Sequence, residues 1–330
     1  MVTDVHPARE RAGVLGAVSR HPLISFFVMA NALSWIAWIP YILSEQGLGV
    51  WQFSFPAVLG TTQITGMLPG AYLGPITSAL IITLIADGRV GLRRWAARLW
   101  RWRVRWHWYV IALLGVPAAL ILTGTVVSGG QVFAPSLMAL ALYVPMLFLQ
   151  MITTGLAEEP GWRDFALPRL QARFGPMVSA AILGPLWALW HMPLFLTEWG
   201  NFPNAHWSAP LTFTVFCIGF NVVMAWVFNS TGMSLPLAML AHVSVNNFVS
   251  VLWGEMFPTV DTHLVSPALA VAGVVAAIVV IVTTRGRLGY RPETDVVGGS
   301  DAAGSGPAGS ASVGQVDEAV VVRPDRRLES

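Results

Sequence analysis

Apolar positions in this chain do not alternate with polar ones at the spacing of a half-buried helix or strand. They run on for twenty residues or more at a time. Crossing a hydrocarbon layer about 30 Å thick takes about 20 residues of α-helix. Eight stretches reach that length, at about 22–43, 64–86, 108–128, 137–166, 177–197, 209–229, 233–253 and 264–284. All but the fourth are free of Asp, Glu and Arg. The first run is too long for the core of a secretory signal and has no small-residue cleavage site behind it, so it reads as a retained span. The pattern predicts an all-α polytopic protein of the cell membrane: a cytoplasmic segment at 1–21, an eight-helix domain at 22–284 and a tail at 285–330.

Composition agrees. The chain is 55% apolar and 11% charged, against about 25% charged in soluble domains. Its nineteen basic residues are all arginine and give a net charge of +2, which offers nothing for nucleic acid to bind as a partner. One cysteine, Cys217, excludes an intramolecular disulfide framework and a thiol-rich metal site.

The arginines orient the spans. They precede the first span, fill the connection between the second and third, sit at or after the end of the fourth and follow the eighth. The alternate loops hold none but carry Glu45, Glu198, Glu255 and Asp261. By the positive-inside rule both termini are cytoplasmic. From Arg89 to Trp108, arginines interleave with tryptophans, as expected of a loop or amphipathic helix lying among lipid headgroups. After Pro292 the tail is rich in Gly, Ala and Ser and is expected to be disordered. No internal repeat is visible, which speaks against a transporter built from inverted halves.

Ionisable groups at membrane depth are costly and mark function by default. Here they gather in Glu158-Glu159-Pro160-Gly161-Trp162-Arg163, in Trp187-Ala188-Leu189-Trp190-His191 and in His242-Val243-Ser244-Val245-Asn246. His242 and Asn246, four apart, share a helix face, and so do Glu159 and Arg163. Pairing of the latter two leaves Glu158, about 100° around the helix, free to point elsewhere. A carboxylate beside an imidazole can take a proton from water, and an imidazole with an amide can donate to a developing oxyanion. This set suits amide hydrolysis without a serine or cysteine nucleophile.

These three motifs, in this order, resemble those of the CAAX protease and bacteriocin-processing family of intramembrane endopeptidases, which includes the Ras-converting prenyl endopeptidases. The segments ALPRLQARFGP at 166–176 and NSTGMSLPLAMLAH at 229–242 also look like its connecting segments. The resemblance covers about 150–250. It implies that Glu158 activates the attacking water, that His191 helps to hold it, and that His242 and Asn246 form the oxyanion hole, with Glu159 and Arg163 in support. Trp187 stands where the family usually has Phe. The expected partners are the bilayer and a membrane-associated peptide or protein, lipidated or not. The alternative is a non-proteolytic immunity or partner-binding protein on the same fold.

Two expectations concern cofactor and geometry. No cofactor is favoured, although Glu158, His191 and His242 could supply zinc with two imidazoles and a carboxylate. For the motifs to meet, the fourth helix must run past the glutamates to about Leu167, with Pro168 as its stop and Pro160 distorting it beside the site. A buried charged cluster also calls for a water-filled cavity, open to the cytoplasm.

Overall fold

The computed structural model describes residues 13–292. The first twelve residues of the N-terminal segment, and the expected tail from 293 onward, lie outside the described residues. No strand forms among those described, as a bilayer requires of any chain that does not close into a barrel: backbone groups in hydrocarbon must be satisfied within the segment itself. We label the helices α1 (Val14–Arg20), α2 (Pro22–Leu43), α3 (Leu68–Ala86), α4 (Gly88–Arg98), α5 (His107–Val127), α6 (Leu137–Leu196), α7 (Ala209–Ser230), α8 (Leu235–Met256) and α9 (Thr262–Thr284). All except α1 and α4 are long and apolar enough to cross a membrane.

That makes seven such helices where the pattern of apolar runs predicts eight, and α6 accounts for the difference. Its sixty residues would extend about 90 Å if straight, three times the hydrocarbon thickness. Gly175, at φ 72° and ψ 174°, breaks the helical path with a backbone conformation that side-chain-bearing residues avoid. The limbs on either side, 137–174 and 176–196, hold the fourth and fifth predicted spans.

Pro168 is not the stop expected of it. It sits in the first turn of an α-helical stretch that follows a π-helical one at Pro160–Ala166. A proline is tolerated in the first turn of a helix, where its missing N–H would lack an intrahelical partner in any case, and the carbonyl four residues back also meets a side-chain donor. That carbonyl belongs to Asp164, and Arg98 of α4 donates to it at 3.4 Å.

At the centre stands α8, with 78% of its most apolar stretch buried. Beside it, α7 and α9 approach so closely that a Cβ on Gly219 would lie 2.5 Å from the backbone of Gly273. Small residues of this kind allow membrane helices to pack in contact. The first limb of α6 instead turns Leu137, Met138, Leu140, Val144 and Phe148 outward, a face that lipid tails solvate as well as protein does.

The Arg- and Trp-rich connector also departs from a segment lying wholly in headgroups. Within α4, Trp95 is buried and its Nε1 donates to the Pro160 carbonyl at 3.2 Å. Arg98 pairs with Asp164, and Trp108 is buried in the first turn of α5.

Candidate active site

The first motif is built on a disturbed helix. Residues Leu156–Glu159 are α-helical, and from Pro160 the turn widens to a π-helix that lasts to Ala166. Proline cannot donate to the carbonyl four residues back, so the widening begins where the ladder is already broken. Such insertions concentrate at functional sites because they re-aim side chains. The segment packs hard against α3: a Cβ on Gly161 would lie 2.7 Å from the ring of Pro75, so no larger residue fits there. Every residue from Ala157 to Leu167 is buried, including the two glutamates, Arg163 and Asp164.

Adjacent on one helix, Glu158 and Glu159 point in different directions and meet different partners. Glu159 is anchored twice. Its Oε1 accepts from Nδ1 of His242 at 2.8 Å, and its Oε2 lies 3.2 Å from Nε of Arg163. Arg163 in turn donates through Nη1 to Oδ1 of Asn221 on α7 at 2.5 Å, and the Asn221 amide is fixed by donation to the Cys217 carbonyl. Glu158 is held by a single neutral donor: Nε1 of Trp187 reaches its Oε2 at 2.8 Å.

Trp187 is the hub of the cluster. Besides bonding Glu158, its ring makes edge contacts with His191 at 5.4 Å and His242 at 5.2 Å, and the Arg163 guanidinium lies 5.7 Å from it. His191 is further enclosed by Trp190, Trp199 and Phe213. The Nδ1 of His191 lies 2.9 Å from the Trp187 carbonyl. A carbonyl can only accept, so Nδ1 carries the proton and Nε2 has the lone pair. In the neutral ring of His242 the same logic applies, since the carboxylate of Glu159 accepts from Nδ1.

The motifs expected to meet do meet, through Glu159–His242 and Glu158–Trp187. Asn246 is on the same face of α8 as His242 but stands apart: it is half-buried, and its side chain makes no hydrogen bond among the described residues. Ser244 and Cys217 are buried, and the Cys217 carbonyl serves the cluster by holding the Asn221 amide. Glu158, His191 and His242 retain 5, 7 and 3% exposure, so only a small part of each is open to water.

A histidine with Nδ1 engaged by a carbonyl or carboxylate is also disposed as a metal ligand. The donors do not converge, however. Among the described residues no three His, Cys, Asp or Glu side chains are grouped to hold a metal, and Glu158 is taken by an indole instead. Sequence reasoning missed Asn221, Trp187 as a donor, and the α4 contacts of Trp95 and Arg98. A side-chain amide in the middle of an apolar span was the available signal for Asn221; nothing local signalled the others.

Comparison with known proteins bears on the same stretch. Residues 139–248, which contain every residue of the cluster, match the family described as type II CAAX prenyl endopeptidase Rce1-like. Over 138 residues, 41% of this chain and 48% of the relative, the sequence is 28% identical to CAAX prenyl protease 2 of Methanococcus maripaludis. The chain therefore spans about half the length of the curated relative it matches. Over this segment the similarity to CAAX proteases read from the three motifs is borne out.

Proposed function

We propose that this chain is an intramembrane endopeptidase that hydrolyses a peptide bond in a membrane-associated protein or peptide through water activated by Glu158. One observation carries the reading: of two adjacent buried glutamates, one is immobilised by Arg163 and His242, and the other is held only by the Trp187 indole. Glu159 is spent on structure. Glu158 keeps its other oxygen without a hydrogen bond among the described residues, and the Trp187 ring that holds it also touches His191 and His242.

In this mechanism Glu158 takes a proton from water as the oxygen attacks the scissile carbonyl. Nε2 of His191 accepts the other proton of that water in a hydrogen bond and so holds it. The tetrahedral oxyanion is met by Nε2–H of a doubly protonated His242, for which Glu159 supplies the counter-charge, and by the uncommitted amide of Asn246. Glu158 then returns its proton to the departing amine. Arg163 fixes Glu159 and, through it, the His242 ring. The donor set does not favour a metal, and no step uses one.

The matched relative and family are named for CAAX prenyl substrates, and we take the substrate to be CAAX-like or bacteriocin-like, approached from the arginine-rich, cytoplasmic side. Comparing the membrane peptides that accumulate in cells carrying the wild type and Glu158→Gln tests the proposal. A peptide set cleaved only by the wild type supports it. Identical peptide sets, with any cellular phenotype intact in the variant, would favour the non-proteolytic reading.

A further inference from the structure

The inner face of α4 grips the site, and its outer face is empty. Gly91, Trp95 and Arg98 recur at helical spacing and face inward, where Trp95 bonds the Pro160 carbonyl and Arg98 bonds Asp164. Away from them, Arg89 and Arg93 lie on the opposite side of the helix and Arg94 flanks it; all three are exposed and have no ion-pair or hydrogen-bond partner among the described residues. The acidic groups nearby are already used: Asp87 pairs with Arg169, and Asp164 with Arg98. Just beyond α4, Trp100 and Trp106 are 79% and 75% exposed.

We infer that this outer face is a binding site for anionic phospholipid headgroups, and that headgroup binding steadies the π-helical segment of the active site through Trp95 and Arg98. Trp95 and Arg98 hold α4 against the bundle between two membrane-crossing helices, and exposed tryptophans favour the depth of the membrane surface. Three arginines without carboxylate partners call for an anion, and each contributes about fivefold in affinity for an acidic surface. A headgroup is the anion within reach. The inference does not depend on the proposed hydrolysis, because its readouts are lipid binding and backbone protection.

The purified full-length protein is titrated with phosphatidylglycerol and with phosphatidylcholine, and bound lipid is counted by native mass spectrometry. The wild type should prefer phosphatidylglycerol. Arg89→Gln/Arg93→Gln/Arg94→Gln should weaken that binding on the order of a hundredfold, and the corresponding triple Lys variant should keep most of it. In nanodiscs, hydrogen exchange at 158–166 should slow when phosphatidylglycerol is added to phosphatidylcholine, in the wild type and not in the triple Gln variant. Unchanged phosphatidylglycerol binding in the triple Gln variant, tighter retention of an oligonucleotide than of the lipid, or exchange that ignores lipid charge would overturn the inference.

Discussion

The indole N–H of Trp187 donates to Oε2 of Glu158 at 2.8 Å, a bond that the phenylalanine usual at this position of the motif could not make. Sequence alone reads the exchange as one aromatic for another. In the structure the exchange adds a donor, and Glu158 gains its one side-chain hydrogen bond from it. Trp187→Phe keeps the ring contacts with His191 and His242 and removes only the donor. A hydrogen bond to a charged group contributes about 1.5 kcal/mol or more to stability, so the variant should melt lower, and turnover should fall because the carboxylate loses the donor that fixes it. Steady-state kinetics beside a thermal melt would check this; unchanged turnover would make the bond incidental.

Arg163 is completely buried between Glu159 and Asn221. Removing one partner of a buried pair typically costs about 3–5 kcal/mol, so Arg163→Ala should lower both the melting temperature and the recovered folded protein. Arg163→Lys keeps the charge but cannot reach Glu159 and Asn221 from one planar fork, and it should fold better than the alanine variant while remaining slow. Wild-type melting in Arg163→Ala would mean that the cluster tolerates an unpaired Glu159.

Asn246 has a free amide on the face that carries His242. If it donates to the oxyanion, Asn246→Ala should slow kcat by about 10²–10³ and leave KM nearly unchanged. A rise in KM at constant kcat would reassign Asn246 to substrate binding.

The spans and the three motifs were legible because each follows from local chemistry: apolar length for the spans, costly ionisable groups for the motifs. The reach of α6 was not. Pro168 looked like a stop because a proline ordinarily ends a helix, but the π-helical turn before it makes it a first-turn proline, a place where the missing N–H costs nothing. The break at Gly175 depends on a single backbone torsion. The partners of Glu158 and Arg163 lie on other helices, at 187 and 221, so spacing within the first motif gave only its internal pair, Glu159 with Arg163.

Orientation rests on the arginines. In a Cys217→Ser background, single cysteines in place of the exposed Arg103 and Asn204 should be labelled by an impermeant thiol reagent from opposite sides, with position 103 cytoplasmic. Labelling of both from one side would contradict two crossings by α6.

The donor set also makes a claim about metal. Purified protein should contain substoichiometric zinc and keep its activity in a strong chelator. One tightly held zinc per chain, lost together with activity in His191→Ala, would contradict a water activated by Glu158 alone.

The most direct measurement is single-site turnover of purified protein on a peptide recovered from the membrane comparison, in one lipid mixture, with wild type, Glu158→Gln and Glu159→Gln side by side. Glu158→Gln keeps the shape of the side chain and an oxygen to accept from Trp187, so it should melt like the wild type while its turnover falls by 10² or more, the scale of losing a positioned general base. Glu159→Gln, which weakens the hold on Arg163 and His242, should melt lower and retain more turnover than Glu158→Gln. A folded Glu158→Gln variant that still hydrolyses the peptide at a rate near that of the wild type would contradict the assignment of Glu158 as the base.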